Sequence, residues 1–446
     1  MTQNSSLSRP QHLGGSRTLQ AGFGVLIVCV LALLGACGGD ESKDATVRFL
    51  NATTDVGSLS LYTDDDRRAG NVAVDAVSPY TTLKARSYEF KFKRSGSDSS
   101  LITSTNSLSE DTPHTVVAWG REGAIRMSIT EDDEDLPAAG LVKLRVFNAA
   151  TDAGSVDIYL GDSATDFGSV SATATSVAVG AYSAFSERSA GAIRIRVTSA
   201  GNRDEIRLDV PALQTQGQQV ITLILQPTAG GVLMHAVALL QQGTVTLQKN
   251  QQSRVRLVAS VAGNGVVGSR VGSTLLSNAA TSPNIGSYVL VPSGNHTLSA
   301  QIAGATVFSE AMSFLAGQDY TVLVHGDPAL GFVNRITDDN RAAASGRSKI
   351  RLVHGVQGYD TLTLTVDSAS VANDLAYGSV SSFVSVGSNV GNALLEVNSP
   401  LSSAALYSTN RPNSSTTGVS LESTGVYTLF MLSGSATPRG FLRRDR

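Results

Sequence analysis

The sequence predicts an all-β chain built from tandem antiparallel β-sandwich domains. Three observations carry that reading. Short runs of alternating apolar and polar residues recur along the chain. They are rich in Val, Ile, Thr and Tyr and separated by clusters of Gly, Ser, Asn and Asp. No long segment carries an apolar stripe at the 3.6-residue period of a helix. The same landmarks return four times in the same order.

The chain opens differently from the rest. Met1–Gly22 contains Arg9 and Arg17 and no acid, and the uncharged apolar run Phe23–Leu34 follows. As a helix that run would rise only about 18 Å, short of a hydrocarbon core of roughly 30 Å. It has the proportions of a signal-peptide core. Leu34-Gly35-Ala36-Cys37 resembles the bacterial lipobox, in which small residues precede a cysteine that is acylated before the signal is removed. The expectation is a signal peptide over 1–36, cleavage between Ala36 and Cys37, lipid on Cys37, and a polar tether over 37–45. Cys29 is the other cysteine and goes with the signal, so the mature chain has no disulfide to form. A multiply acylated Cys37 gives stable membrane attachment. The expected location is the bacterial cell envelope, lipid-anchored at the outer membrane, with the membrane as one partner.

Charge excludes one partner class. The 34 basic and 37 acidic residues fall to 32 and 37 once Arg9 and Arg17 leave. A mildly acidic chain is a poor ligand for nucleic acid.

Behind the tether, four segments begin alike: Val47-Arg48-Phe49-Leu50-Asn51, Leu144-Arg145-Val146-Phe147-Asn148, Val255-Arg256-Leu257-Val258-Ala259 and Ile350-Arg351-Leu352-Val353-His354. An aromatic follows each arginine by 32, 37, 32 and 32 residues, at Tyr80, Tyr182, Tyr288 and Phe383. A threonine then opens an apolar strand at Thr115, Thr222, Thr321 and Thr428. The period suits an independent domain. The expected repeats are 46–137, 141–247, 251–340 and 347–446, each a pair of packed sheets, joined by short linkers into a semi-rigid rod. The architecture is immunoglobulin-like, without the Cys…Trp…Cys signature of true immunoglobulin domains. The four aromatics are expected in the cores. The run Glu131–Asp135 is expected to be a solvated linker rather than a Ca²⁺ site.

The stretch from Leu144 to Leu160, Leu-Arg-Val-Phe-Asn-Ala-Ala-Thr-Asp-Ala-Gly-Ser-Val-Asp-Ile-Tyr-Leu, resembles the opening of the bacterial domain-of-unknown-function family four-three-nine-seven. The first repeat keeps Asn51, Asp55 and Tyr62. The resemblance implies exported, often tandem β-sandwiches and implies no activity.

Motifs for chemistry are sparse. Gly263-Asn264-Gly265-Val266-Val267-Gly268 fits the dinucleotide pattern, but no acid follows until Glu310, and sibling repeats place hairpin turns there. The six histidines, His12, His114, His235, His296, His325 and His354, lack metal-ligand spacing, and no nucleophile elbow or Walker loop occurs. No cofactor, metal or catalytic residue is expected. Asp55 and Asp152 are expected to sit in turns, each contributing roughly 1 kcal/mol of stability. The functional expectation is a non-enzymatic envelope lipoprotein whose repeats serve as spacer and interaction surface toward a protein or glycan. The alternative is a glycan-binding or glycan-hydrolysing module.

Overall fold

The computed structural model describes residues 43–162, 166–410, 418–435 and 437–446. The signal peptide, Ala36 and Cys37 lie outside them. The described chain is all-β, with two short 3-10 turns at Phe167–Ser169 and Ala262–Asn264.

The first repeat shows the plan. Its strands are β1 (Asp44–Thr53), β2 (Leu59–Thr63), β3 (Asp66–Val72), β4 (Ala76–Val77), β5 (Thr81–Lys84), β6 (Ser87–Arg94), β7 (Ser100–Ser107), β8 (Pro113–Gly120) and β9 (Arg126–Glu131). One sheet has β4 and β5 against β1, then β8 and β9; the other runs β3-β2-β6-β7. The three later repeats repeat this pair of sheets, the fourth with an added two-stranded piece.

Pairing is antiparallel except at one place in each repeat. The first strand lies parallel to the strand that opens with threonine, and Arg48 stands directly opposite Thr115. The same parallel register sets Arg145 opposite Thr222, Arg256 opposite Thr321, and Arg351 opposite Thr428. Some 65 to 77 residues separate each pair. That is ample chain for the crossover a parallel pair requires.

These central strands are buried on both faces, which explains why they read as apolar runs rather than alternations. In β1, Val47 and Phe49 enter the core of their own sandwich. Leu50 and Ala52 point the other way and join Val117 and Trp119 in a second core. The far side of that second core is Phe147, Ala149, Ile224, Val237 and Leu239, all from repeat 2. Repeats 3 and 4 do the same with Val258, Leu323 and Ile336 against Val353, Phe430 and Leu432. The sandwiches therefore pack face to face in two pairs. The rod of separate beads expected from the short linkers is replaced by apolar seams, because each repeat has a second sheet face too apolar to leave in water.

The pairs are also tied to each other. Asn250, in the middle join, donates to the Arg207 and Met234 carbonyls at 2.9 and 3.0 Å. Gly231 (φ +88°) passes so close to the linker between repeats 3 and 4 that a Cβ would lie 2.4 Å from the Arg341 nitrogen. Asp152, only 1% exposed, accepts from the Ala342 amide at 2.9 Å and faces Arg121 at 3.1 Å and Arg446 at 3.5 Å. It is a buried tie between repeats, and its loss costs more than the ~1 kcal/mol of an exposed turn.

Candidate functional site at the seams between repeats

The arginine, threonine and aromatic landmarks converge on the seams. In repeat 1, the Arg48 Nε donates to Thr115 Oγ1 at 2.7 Å, and its guanidinium lies 4.8 Å from the centre of the Tyr80 ring. Arg145 lies over Tyr182 at 4.7 Å, Arg256 over Tyr288 at 4.5 Å, and Arg351 over Phe383 at 4.5 Å. This corrects the expectation that the four aromatics fill the cores. They sit half-buried at the seams, because a flat ring is the partner that a buried guanidinium accepts on its face.

A fourth member completes each cluster. The Arg48 Nη2 reaches Asp132 at 2.9 Å, and Asp132 also accepts from Tyr80 and Thr115. Asp132 is 4% exposed while Glu131, Asp133 and Asp135 are exposed, so the expected solvated run fails at Asp132 alone. Asp338 accepts from the Tyr288 hydroxyl at 2.8 Å and Thr321 at 2.7 Å. Burial raises the Tyr288 phenol well above its usual value, and the Asp338 charge pushes the same way. Asp445 accepts from Thr428. The register that puts acids two residues beyond the partners of Thr115, Thr321 and Thr428 puts Gln241 there in repeat 2. Burial alone leads the shift of Tyr182, pushed up to about 12.

Repeats 3 and 4 exchange these acids. Arg351 of repeat 4 pairs with Asp338 of repeat 3, and Arg256 of repeat 3 pairs with Asp445 of repeat 4 at 2.6 Å. The exchange is reciprocal, as at an interface between two like surfaces. In the first pair, Arg48 reaches the Gly243 and Leu240 carbonyls of repeat 2, while Arg145 donates to Thr130 of repeat 1 at 2.7 Å.

The family-like opening has a local role. Asn51 donates to the Gly57 and Val72 carbonyls at 2.8 and 3.0 Å, and Asn148 does the same to Gly154 and Val177 at 2.9 and 3.0 Å. Each holds the turn after the first strand. His354 occupies that slot in repeat 4, with Nε2 3.0 Å from the Tyr359 carbonyl and Nδ1 accepting from Val356 at 3.3 Å.

The remaining candidates are structural in their surroundings. Asp157 accepts from the Ser176 and Gly201 amides at 2.8 and 2.9 Å. Asp55 accepts from the Glu122 amide at 2.8 Å, and His235 Nδ1 from the Asn250 amide at 2.9 Å. Trp119 is buried edge-on to Phe147 at 5.4 Å, so its ring is no platform for sugar. Gly263–Gly268 runs from a 3-10 turn into the strand Val266–Val271, with no helix after it to meet a phosphate. Among the described residues no group of three His, Cys, Asp or Glu side chains is placed to hold a metal.

His325 and His354 form a titratable spot in the second seam. The Tyr377 ring stands edge-on to both, at 4.8 and 5.6 Å, and Phe332 stacks on His325 at 5.6 Å. Burial pulls both histidines down to about 4. The unfolded chain protonates them near 6.5 while the folded chain resists, so stability falls as pH drops from about 6.5 toward 4. The expected size is a few kcal/mol, roughly, for the two together. A His325→Gln/His354→Asn variant, using the residues that repeats 2 and 1 hold at these slots, should lose that slope in urea titrations at pH 7 and 4.5. An equal slope in both proteins would assign it to carboxylates instead.

No curated protein sequence matches the chain. Similar solved structures include a candidate cell adhesion protein from Bacteroides uniformis ATCC 8492, at 13% identity and a TM-score of 0.20, covering 46% of this chain and 99% of that one. Another is the Bacillus anthracis TIE protein, at 8% identity and a TM-score of 0.15, covering 85% of this chain and 66% of that one. The profile of one sequence family matches twice, over residues 45–159 and 253–358. Each match runs through one sandwich and past the opening strand of its seam partner. Both matched stretches are similar to the family described as Domain of unknown function (DUF4397), and their order along the chain is consistent with tandem repeats of it.

Proposed function

We propose that this protein is a cell-envelope lipoprotein, held at the outer membrane by acylated Cys37, whose four sandwiches form a rigid, non-catalytic body for adhesion or partner binding. One observation supports it above the others: each seam uses one sheet of a sandwich, and in repeats 1 and 4 the second sheet takes no part in it. Those free sheets keep polar outward faces. Glu89, Lys91 and Lys93 alternate with buried Tyr88, Phe90 and Phe92, and Thr361, Thr363 and Thr365 alternate with buried Leu362, Leu364 and Val366. The buried acids Asp132, Asp338 and Asp445 are committed to arginines of the seams, which leaves them unavailable as general acids or bases.

The anchor is tested by Cys37→Ser. The variant should take up no palmitate analogue, leave the membrane fraction or persist as uncleaved precursor, and cost cells their attachment as fully as deletion of the protein. Label on the variant, or attachment unchanged in cells without the protein, defeats the reading. For the non-catalytic half, turnover of a glycan or ester that vanishes in a normally folded variant of Asp55, Asp157, His235 or His325 is the defeating result.

A further inference from the structure

A cleft of about 810 Å³ opens where repeats 2, 3 and 4 meet, a volume ordinary for small-ligand sites and placed where such sites concentrate. Its walls differ in charge. Repeat 2 contributes Asn202, Asp204 and Glu205 from the start of its strand Asn202–Gln214. Repeat 4 contributes Arg443 and Arg444 from its last strand, and Ser287 of repeat 3 lies between.

Most cations around the cleft are already committed. Arg254 grips Asp319 through two hydrogen bonds, and Arg444 pairs with Glu422. Two are not fully used. Arg443 is exposed and makes no ion pair among the described residues. Arg256, 4% exposed, spends Nε on Thr321 and Nη1 on Asp445, and its Nη2 has no hydrogen-bond partner. A buried guanidinium nitrogen without a partner is costly unless something nearby compensates it. Asp445, which also lines the cleft, balances the Arg256 charge, so Arg443 carries the cationic character of this wall and the unused Arg256 Nη2 adds a hydrogen-bond donor beside it. On the opposite wall, the exposed Asp204 carboxylate and the Asn202 amide are available as acceptors and donor at short sequence spacing.

We propose that this cleft binds an acidic sugar of the uronate type, its carboxylate on the Arg443 side and its ring hydroxyls on Asp204 and Asn202. A bare oxyanion would satisfy only the cationic wall. A neutral sugar would satisfy only the acidic one. A ring with a carboxylate at one end and adjacent hydroxyls at the other satisfies both, and a unit or two of such a chain fits the volume. The proposal rests on the reading of the body as an interaction module, and it names the class of polymer met by this joint.

Ligand-observed NMR on the purified full chain, with glucuronate, glucose and inorganic phosphate as separate probes, tests it. Glucuronate should bind saturably, and glucose and phosphate at least about tenfold more weakly. Arg443→Gln should weaken glucuronate at least about tenfold, the loss of one charge-assisted contact, and Asp204→Ala several-fold. Both side chains are exposed, and unchanged melting curves confirm that the variants fold. Absence of saturable glucuronate binding overturns the proposal. So does phosphate binding as tightly as glucuronate, or glucuronate binding that neither substitution alters. Because binding is read on purified protein, it stands or falls separately from whether cells lacking the chain lose attachment.

Discussion

Asp338→Ala should be the most damaging single substitution in the chain, lowering unfolding free energy by about 3–5 kcal/mol. Asp338 is fully buried and serves three donors at once: Tyr288, Thr321 and Arg351. Arg351 is itself 2% exposed. Removing the carboxylate leaves a buried guanidinium with its main counter-charge gone, and leaves the Tyr288 hydroxyl without its acceptor. The cost comes from that stranded charge more than from the lost attraction. The double variant Asp338→Ala/Arg351→Met should therefore recover much of the loss, since it removes the charge as well. Asp445→Ala should behave likewise through Arg256, as the exchange is reciprocal. Urea unfolding followed by tryptophan-independent far-ultraviolet circular dichroism measures all three. A loss under about 1 kcal/mol for Asp338→Ala would mean that water reaches the seam and screens it.

This cluster shows what was legible beforehand and what was not. Arginine, aromatic and threonine were visible as landmarks because each holds a fixed place in every repeat. Their meeting was hidden, since parallel register between strands some seventy residues apart has no local signature. An aromatic that recurs at one repeat position in otherwise divergent surroundings reads as a core residue, because burial is the commonest reason for such constancy. The acids were harder still. Asp132 is disguised within Glu131–Asp135, and repeat 2 breaks the pattern with Gln241. A signal did exist: an acid lies 17 residues after the strand threonine in three of the four repeats, at Asp132, Asp338 and Asp445.

The seams themselves were also written in the sequence. Val116-Val117-Ala118-Trp119 and Leu223-Ile224-Leu225 contain no polar alternate, and strands of that kind are covered on both sides. A free-standing sandwich would show alternation there. The outward sheets do show it, as in Thr361–Val366, where threonine and aliphatic residues take turns. Reading the two strand types apart would have predicted pairing rather than a string of beads. The linkers misled because short joins are compatible with either arrangement.

The same contrast fixes the behaviour of a single repeat. Residues 141–249, taken alone, match the size of a self-sufficient domain, and the sequence suggests a folded monomer. The seam argues otherwise. Phe147, Ile224, Val237 and Leu239 are each at most 2% exposed in the whole chain and would all face water in the fragment. At roughly 1.5–3 kcal/mol for each large apolar side chain, re-exposing four forfeits about 6–12 kcal/mol as an upper figure. That is comparable to the entire stability of a domain of this size, about 5–15 kcal/mol. Arg145 would meanwhile lose its Thr130 contact. The fragment should therefore unfold, or else bury the face against a second copy of itself, as the pseudo-symmetric seams already do within the chain. Residues 44–249 keep their seam and should remain monomeric with a cooperative urea transition. Sedimentation of the two fragments side by side decides it. A monomeric 141–249 that unfolds cooperatively at the same denaturant concentration as 44–249 would show that each sandwich stands on its own core, and that the seam adds nothing to its stability.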